Sequence, residues 1–145
     1  MKKPKLQVTY WDTSAVVSAL FADDHSSQAM RCARASGTHL VSSLAWAEAN
    51  AVIARIERER MLADVLVAAA REALAEGPWR RLHLEPDWSE LERLARAWPL
   101  RGADLWHLAT AKALQIDLPE LSFLCFDSRL AAAARGAGLP APTPA

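Results

Sequence analysis

Short apolar runs, set between much longer helix-forming segments, constrain this chain more than any other feature of its sequence. "LQVTYW", "THLVSS", "WRRLHL" and "LSFLCF" read as strands, and the last is the most apolar. Strands that are apolar on both faces must be covered on both sides, which is the situation of a parallel sheet. Between them lie "TSAVVSALF", "HSSQAMRCARA", "LAWAEANAVIARIERERM", "LADVLVAAAREALAE", "DWSELERLARAW", "GADLWHLATAKALQI" and "DSRLAAAARG". Their spacing and their Ala, Leu, Glu and Arg content predict helices. Gly37 is expected to end the second helix, Asp87 to start the helix before Pro99, and Gly136 to cap the last one, ahead of the Pro-rich tail "LPAPTPA". Strands alternating with helices predict an α/β/α sandwich with a central parallel sheet flanked by helices. One domain is expected over residues 1–145.

With 52% hydrophobic residues in 145, the chain has enough apolar surface for one core. Seventeen basic and seventeen acidic residues cancel, so any site for a polyanion must be local. "MKKPK" resembles the basic start of a signal peptide, but the following "LQVTYWD" is too short and polar for its apolar core. No segment has the roughly 18 apolar residues of a membrane span, and a cytoplasmic protein is expected. Cys32 and Cys125 lack a CxxC partner, so a zinc site and a disulfide are both disfavoured.

Four acids stand out by position. "VTYWD" and "SFLCFD" each run apolar up to an Asp, which places Asp12 and Asp127 beyond strand ends, where parallel sheets bind ligands. Each is also a natural helix N-cap. Asp104 is the one acid of "LRGADLWHLATAKAL", and on a helix it shares a face with His107, Leu108 and Ala111. It too could serve the helix dipole. Glu48 has Leu44, Ala45, Ala51 and Val52 around it at helical spacing and no capping role to play. Arg55, further along that face, is its candidate ion-pair partner. If the four converge, repulsion must be offset, because two charges 4 Å apart repel by about 4 kcal/mol at an effective dielectric of 20. Hard divalent cations with oxygen ligands, Mg²⁺ or Mn²⁺, would offset it.

The stretches "DTSAV" at Asp12, "AEANAV" at Glu48, "GADLWHLATA" at Asp104 and "FDSRLAAAA" at Asp127 resemble the PIN domain family, and specifically its VapC-type toxin nucleases. The resemblance covers nearly the whole chain and keeps the order Asp, Glu, Asp, Asp. It implies a PIN-like fold and a metal-dependent endoribonuclease cutting single-stranded RNA, with Asp12, Glu48, Asp104 and Asp127 holding one or two Mg²⁺ or Mn²⁺ ions. Thr13 or Ser14, with Ser14 preferred, would orient the first Asp. It further implies a cognate antitoxin protein and a homodimer. The helices over residues 13 to 35 and "LADVLVAAAREALA" are candidate partner surfaces, unless their apolar faces are buried within the chain. Trp106 stands where the family has a smaller apolar residue.

Other residues carry open readings. His107 could act directly or simply pack and make one hydrogen bond. Trp11, Trp46 and Trp106 could stack on RNA bases, fill the core or receive a partner's helix. Arg80, Arg81, Arg101, Lys112 and Arg129 are scattered candidates for phosphate contact. A Mg²⁺-dependent phosphatase of another α/β type would need Asp-x-Asp after the first strand, where this chain has Asp12, Thr13, Ser14. A non-catalytic PIN-like binding module is the remaining alternative.

Overall fold

The computed structural model describes residues 6–143, so the "MKKPK" start and the last two tail residues lie outside the described residues. Four strands, β1 (Gln7–Trp11), β2 (Gly37–Ser42), β3 (Trp79–Leu82) and β4 (Ser122–Leu124), form one parallel sheet in the order β3-β2-β1-β4. The helices are α1 (Thr13–Leu20), α2 (Ser26–Arg34), α3 (Ser43–Arg58), α4 (Asp64–Glu76), α5 (Trp88–Ala97), α6 (Gly102–Asp117) and α7 (Ser128–Gly136). Successive strand residues point to opposite faces. Tyr10, Leu40 and Phe123 accordingly meet α5, α6 and α7, while Trp11, Val41 and Leu124 meet α1 to α4. Both faces are therefore buried, and the architecture is an α/β/α sandwich, as expected.

Two local expectations, both at glycines, are corrected, and Asp87 begins its helix as expected. The second helix closes at Ala35, and Gly37 instead opens β2 with φ +134. A Cβ there would sit 2.2 Å from the Gln7 carbonyl oxygen, its register partner on β1, so the approach of the two strands requires glycine. Gly136 lies inside the last turn of α7, where a Cβ would strike the Trp98 ring, and Gly138 takes the left-handed position at φ +91. Asp87 sits at the start of α5 but makes no capping bond through its side chain.

The apolar run "LSFLCF" yields only three strand residues, because the chain leaves the sheet at Cys125. The tail compensates at this edge: Phe123 N donates to Pro140 O at 2.8 Å, and Leu139 is buried against the α6–α7 side of the core. Gln7 and Thr143 tie the far end by a side-chain bond of 2.7 Å.

Candidate active site at the turn of the sheet

The chain builds outward from β1 through β2 to β3, then returns to place β4 on the other flank of β1. Such a reversal opens a crevice beyond the carboxyl ends of the two strands on either side of it. Asp12 directly follows β1, its backbone N donating to Leu124 O of β4 at 3.2 Å, and Asp127 opens α7 just past β4.

The capping and site readings of these two acids turn out to be compatible. Asp12 Oδ1 accepts from Ala15 N at 2.9 Å and so caps α1, while Ser14 Oγ lies 2.8 and 3.0 Å from its two oxygens as donor. Ser14 Oγ in turn accepts from Phe126 N at 3.2 Å, which pins the first helix to the end of β4. Asp127 Oδ1 accepts from Leu130 N at 2.9 Å and caps α7, with the residue exposed. Asp12 is only 3% exposed. Burial pushes its carboxyl up to about 6 against the pull of the Ala15 and Ser14 hydrogen bonds, and the charge of Asp104 adds to the rise.

Asp104, in the first turn of α6, is half-buried above His107, Leu108 and Ala111, all of which are buried. Its carboxyl is raised by burial first and then by Asp127, with Arg101 opposing and Glu48 adding a smaller push. The acids whose charges act on it line the same cleft.

Glu48 departs from its expected environment. The buried stripe of α3 is Ala45, Ala49 and Ile53, and Glu48 lies on its flank with a side chain 40% exposed. Arg55 is not its partner, since Arg55 Nε instead lies 3.9 Å from Glu59 Oε2. Thr13 Oγ1 donates to Glu48 Oε1 at 2.7 Å, and His107 Nε2 stands 3.8 Å from the same oxygen.

That contact belongs to a chain of hydrogen bonds reaching into the core. Tyr10 Oη and His107 Nδ1 are 2.7 Å apart, and His107 Nε2 and Thr13 Oγ1 are 3.1 Å apart. Donor bookkeeping assigns the protons. The Glu48 carboxylate only accepts, so Thr13 donates its single hydrogen to it. Thr13 must then accept from His107 Nε2–H, which leaves Nδ1 to accept from Tyr10. Burial pushes His107 down to about 4, in keeping with this neutral tautomer. His107 thus packs and bridges, and its ring nitrogens are both engaged.

All four acids, with Thr13 and Ser14, line one cleft of about 570 Å³. Asp23, His25, Phe126 and Arg101 complete its walls. Of these only Arg101 attracts notice in the sequence; His25 and Asp23 lie on the α1–α2 connection, which carries no strand-end or helix-face signal. The acids line the cleft without closing on a point: among the described residues no group of three His, Cys, Asp or Glu side chains is drawn together tightly enough to hold an ion. Cys125 is half-buried beside them, and burial together with the Asp12 charge pushes its thiol far up, so it remains a thiol. Trp11 is fully buried, its Nε1 donating to His39 Nδ1 at 3.0 Å, and therefore does not reach RNA. Trp46 is half-buried and carries the Arg81 guanidinium over its ring at 4.2 Å.

The PIN domain model matches residues 9–136, a span that contains every one of these side chains. The chain belongs to the PIN domain family. Within that family it is of the VapC type, being 34% identical over 137 residues to ribonuclease VapC45 of Mycobacterium tuberculosis strain CDC 1551 / Oshkosh, with 92% of this chain and 93% of that protein covered. Ribonuclease VapC49 of strain ATCC 25618 / H37Rv matches with the same identity and coverage. The crystal structure of Mycobacterium tuberculosis VapC20, described as a sarcin-ricin loop cleaving toxin, shares the PIN fold at TM-score 0.52 and 17% identity, over 90% of this chain and 95% of that one.

Proposed function

We propose that this PIN-domain protein is an endoribonuclease that hydrolyses single-stranded RNA phosphodiesters with Mg²⁺ or Mn²⁺, acting in the cytoplasm as the toxin of a type II toxin-antitoxin pair. One observation carries the reading: four carboxylates from four separate elements meet in one cleft at the turn of the sheet, in a chain whose curated relatives are named ribonucleases.

The donor set fits a hard divalent cation. Asp12, Glu48, Asp104 and Asp127 offer carboxylate oxygens only, and the Asp12 and Asp104 carboxyls are raised by burial first and by facing acids second, so that a cation bound there would favour their charged forms. Bound there, the ion would supply a water activated for attack on phosphorus and charge for the developing phosphorane oxygens.

The chain's own groups supply the rest. Ser14 and the Ala15 N–H hold the Asp12 carboxylate, and Thr13 holds one oxygen of Glu48, the other making no hydrogen bond among the described residues. Arg101, on the rim, is placed to draw in a phosphate that the acids alone would repel. With water as the nucleophile, attack does not require the ribose 2′-hydroxyl, so products should carry 5′-phosphate and 3′-hydroxyl ends.

A protein partner has apolar surface available. The inner faces of α1 and α4 are buried within the chain, but Met61, Leu62, Val65 and Leu66 stay exposed around the start of α4. We assign this patch to the antitoxin or to a second copy. Among the described residues no helix is long and apolar enough to cross a membrane.

The test is cleavage of a mixed single-stranded RNA with Mn²⁺, with EDTA, and by the Asp104→Asn variant, reading product ends. Cleavage that needs metal, leaves 5′-phosphates and disappears in the variant is the expected result. Full activity in Asp104→Asn would sink the assignment. No cleavage, together with no thermal stabilisation by Mn²⁺, would leave a binding module.

A further inference from the structure

A polyanion entering a cleft lined by five acids, Asp23 among them, is repelled, so the strand must be gripped by groups beside them. The wall of the cleft past Asp127 has such groups. The His25 ring, at the start of α2, lies flat on Phe126, with centroids 4.6 Å apart and planes within 3°. Phe126 is half-buried and packed on the core, whereas His25 is exposed. The stack is thus supported on its inner side and open on its outer one.

Both rings line the acid cleft and also a second cleft of about 290 Å³ between α2 and α7. That hollow shares Gln28 and Leu124 with a third, of about 140 Å³, beside the tail. Among the described residues Asp127 is the sole acid lining the second cleft, and no acid lines the third. The exposed donors on the way are Gln28, Arg135 and Arg31. Among the described residues neither arginine has a carboxylate within ion-pair distance. The charged lining therefore changes across these adjoining clefts, which together form a groove, from acidic at the first to basic beyond the aromatic pair.

We propose that this groove is a subsite for single-stranded RNA: one nucleobase beside the scissile phosphate stacks on the open face of His25, and neighbouring phosphates face Arg135 and Arg31. The subsite rests on the endoribonuclease reading above and adds to it where the substrate strand leaves the acids. Stacking on a ring accepts any base, while the arginines read backbone charge. The grip would hold RNA by its single-stranded form.

The test follows Mn²⁺-dependent cleavage of a 12-nucleotide RNA, and of a set in which each base in turn is removed to leave an abasic ribose. For the wild type, one abasic position flanking the cut should lower kcat/KM by roughly 5- to 150-fold, the usual worth of one stacked base. In His25→Ala the intact RNA should show that same loss, chiefly in KM, and removing that base should have no further effect. His25→Trp should recover the wild-type pattern, because it restores a stacking face. Arg135→Ala should weaken the dependence of KM on salt by about 0.7 in logarithmic slope, as for one single-strand phosphate contact.

These side chains are exposed, so melting temperatures should stay at the wild-type value. If the wild type cleaves but His25→Ala and Arg135→Ala keep its kinetics and abasic profile, the subsite is overturned and the ribonuclease reading stands. Variants that keep RNA kinetics but lose binding to a protein partner would make the groove a protein seat and equally overturn it. A wild type that cleaves no RNA with Mn²⁺ removes both.

Discussion

The inner and outer walls of the acid cleft are built on different principles. On the inner wall Asp12 is buried, capped and held by Ser14, and Glu48 is tied through Thr13 and His107 to Tyr10 at the centre of the sheet. On the outer wall Asp127 is exposed with one capping bond, and Asp104 makes no hydrogen bond through its side chain among the described residues. The contrast teaches that half of the site is pre-set by the core while half is left to respond to what binds. Preorganised groups keep their geometry when charge arrives; free ones can close on it.

The sharpest way to break the comparison is to remove one acid from each wall. Asp12→Ala and Asp104→Asn should each cut RNA cleavage by about a thousandfold, the scale of several kcal/mol of lost charge stabilisation. Only Asp12→Ala should also cost about 1 kcal/mol of folding stability, the usual worth of an N-cap. Asp104→Asn should raise metal-free stability by a fraction of a kcal/mol, because it removes repulsion at a partly solvated position. Denaturant melts of both variants decide this, and equal destabilisation would erase the distinction between the walls.

A smaller effect is expected from Tyr10→Phe, which leaves the ring stacked on Phe123 and deletes the first link of the relay. Cleavage should fall by roughly tenfold, as when an outer partner of a ligand is lost, with about 1 kcal/mol of stability from the unpaired His107 nitrogen. Unaltered kcat/KM would show that Thr13 alone positions Glu48. At Asp127, Ala should be less stable than Asn by about 1 kcal/mol, since Asn still caps α7. Both should be poor nucleases.

The smallest effect is a pH dependence of metal-free stability. His107, neutral in the fold and held near 4, binds fewer protons than its unfolded counterpart below about 6.5, so its contribution is lost as pH falls. Asp12, held near 6, binds more protons folded than unfolded between about 4 and 6, so its contribution grows as pH falls. The two slopes oppose each other in the wild type. Melting temperatures between pH 6 and 4.5 should therefore rise on acidification in His107→Gln and fall in Asp12→Asn.

Much of this was legible in the residues, for identifiable reasons. Apolar strands ending in Asp and helices rich in Ala and Leu state their period and their ends locally, which is why the sandwich and all four acids could be placed from sequence. Glu48 was found by its apolar neighbours, and of the two alternatives left open for it, a side chain reaching the edge or a pair with Arg55, the first holds, because helical spacing could offer a partner only from the same helix. Its actual neighbours come from elsewhere in the chain, Thr13 lying 35 positions from Glu48 and His107 94 positions from Thr13. His25 and Phe126 escaped for the same reason: two aromatic residues a hundred positions apart stack only once β4 has joined the sheet. Glycine ends were misread because Gly37 and Gly136 answer to a neighbouring strand and to Trp98, contacts that no local window contains.

The pairing of β1 with β4 joins Thr9 to Ser122, 113 positions apart, and β1 is otherwise complete within the first eleven residues. Translation delivers a chain from its N-terminus at roughly 5–20 residues per second. Asp12 and Glu48 therefore emerge many seconds before Asp127 can take its place opposite them. While the chain is still being made, its cleft lacks a wall, and the ribosome producing it faces an incomplete protein until the last helix is out.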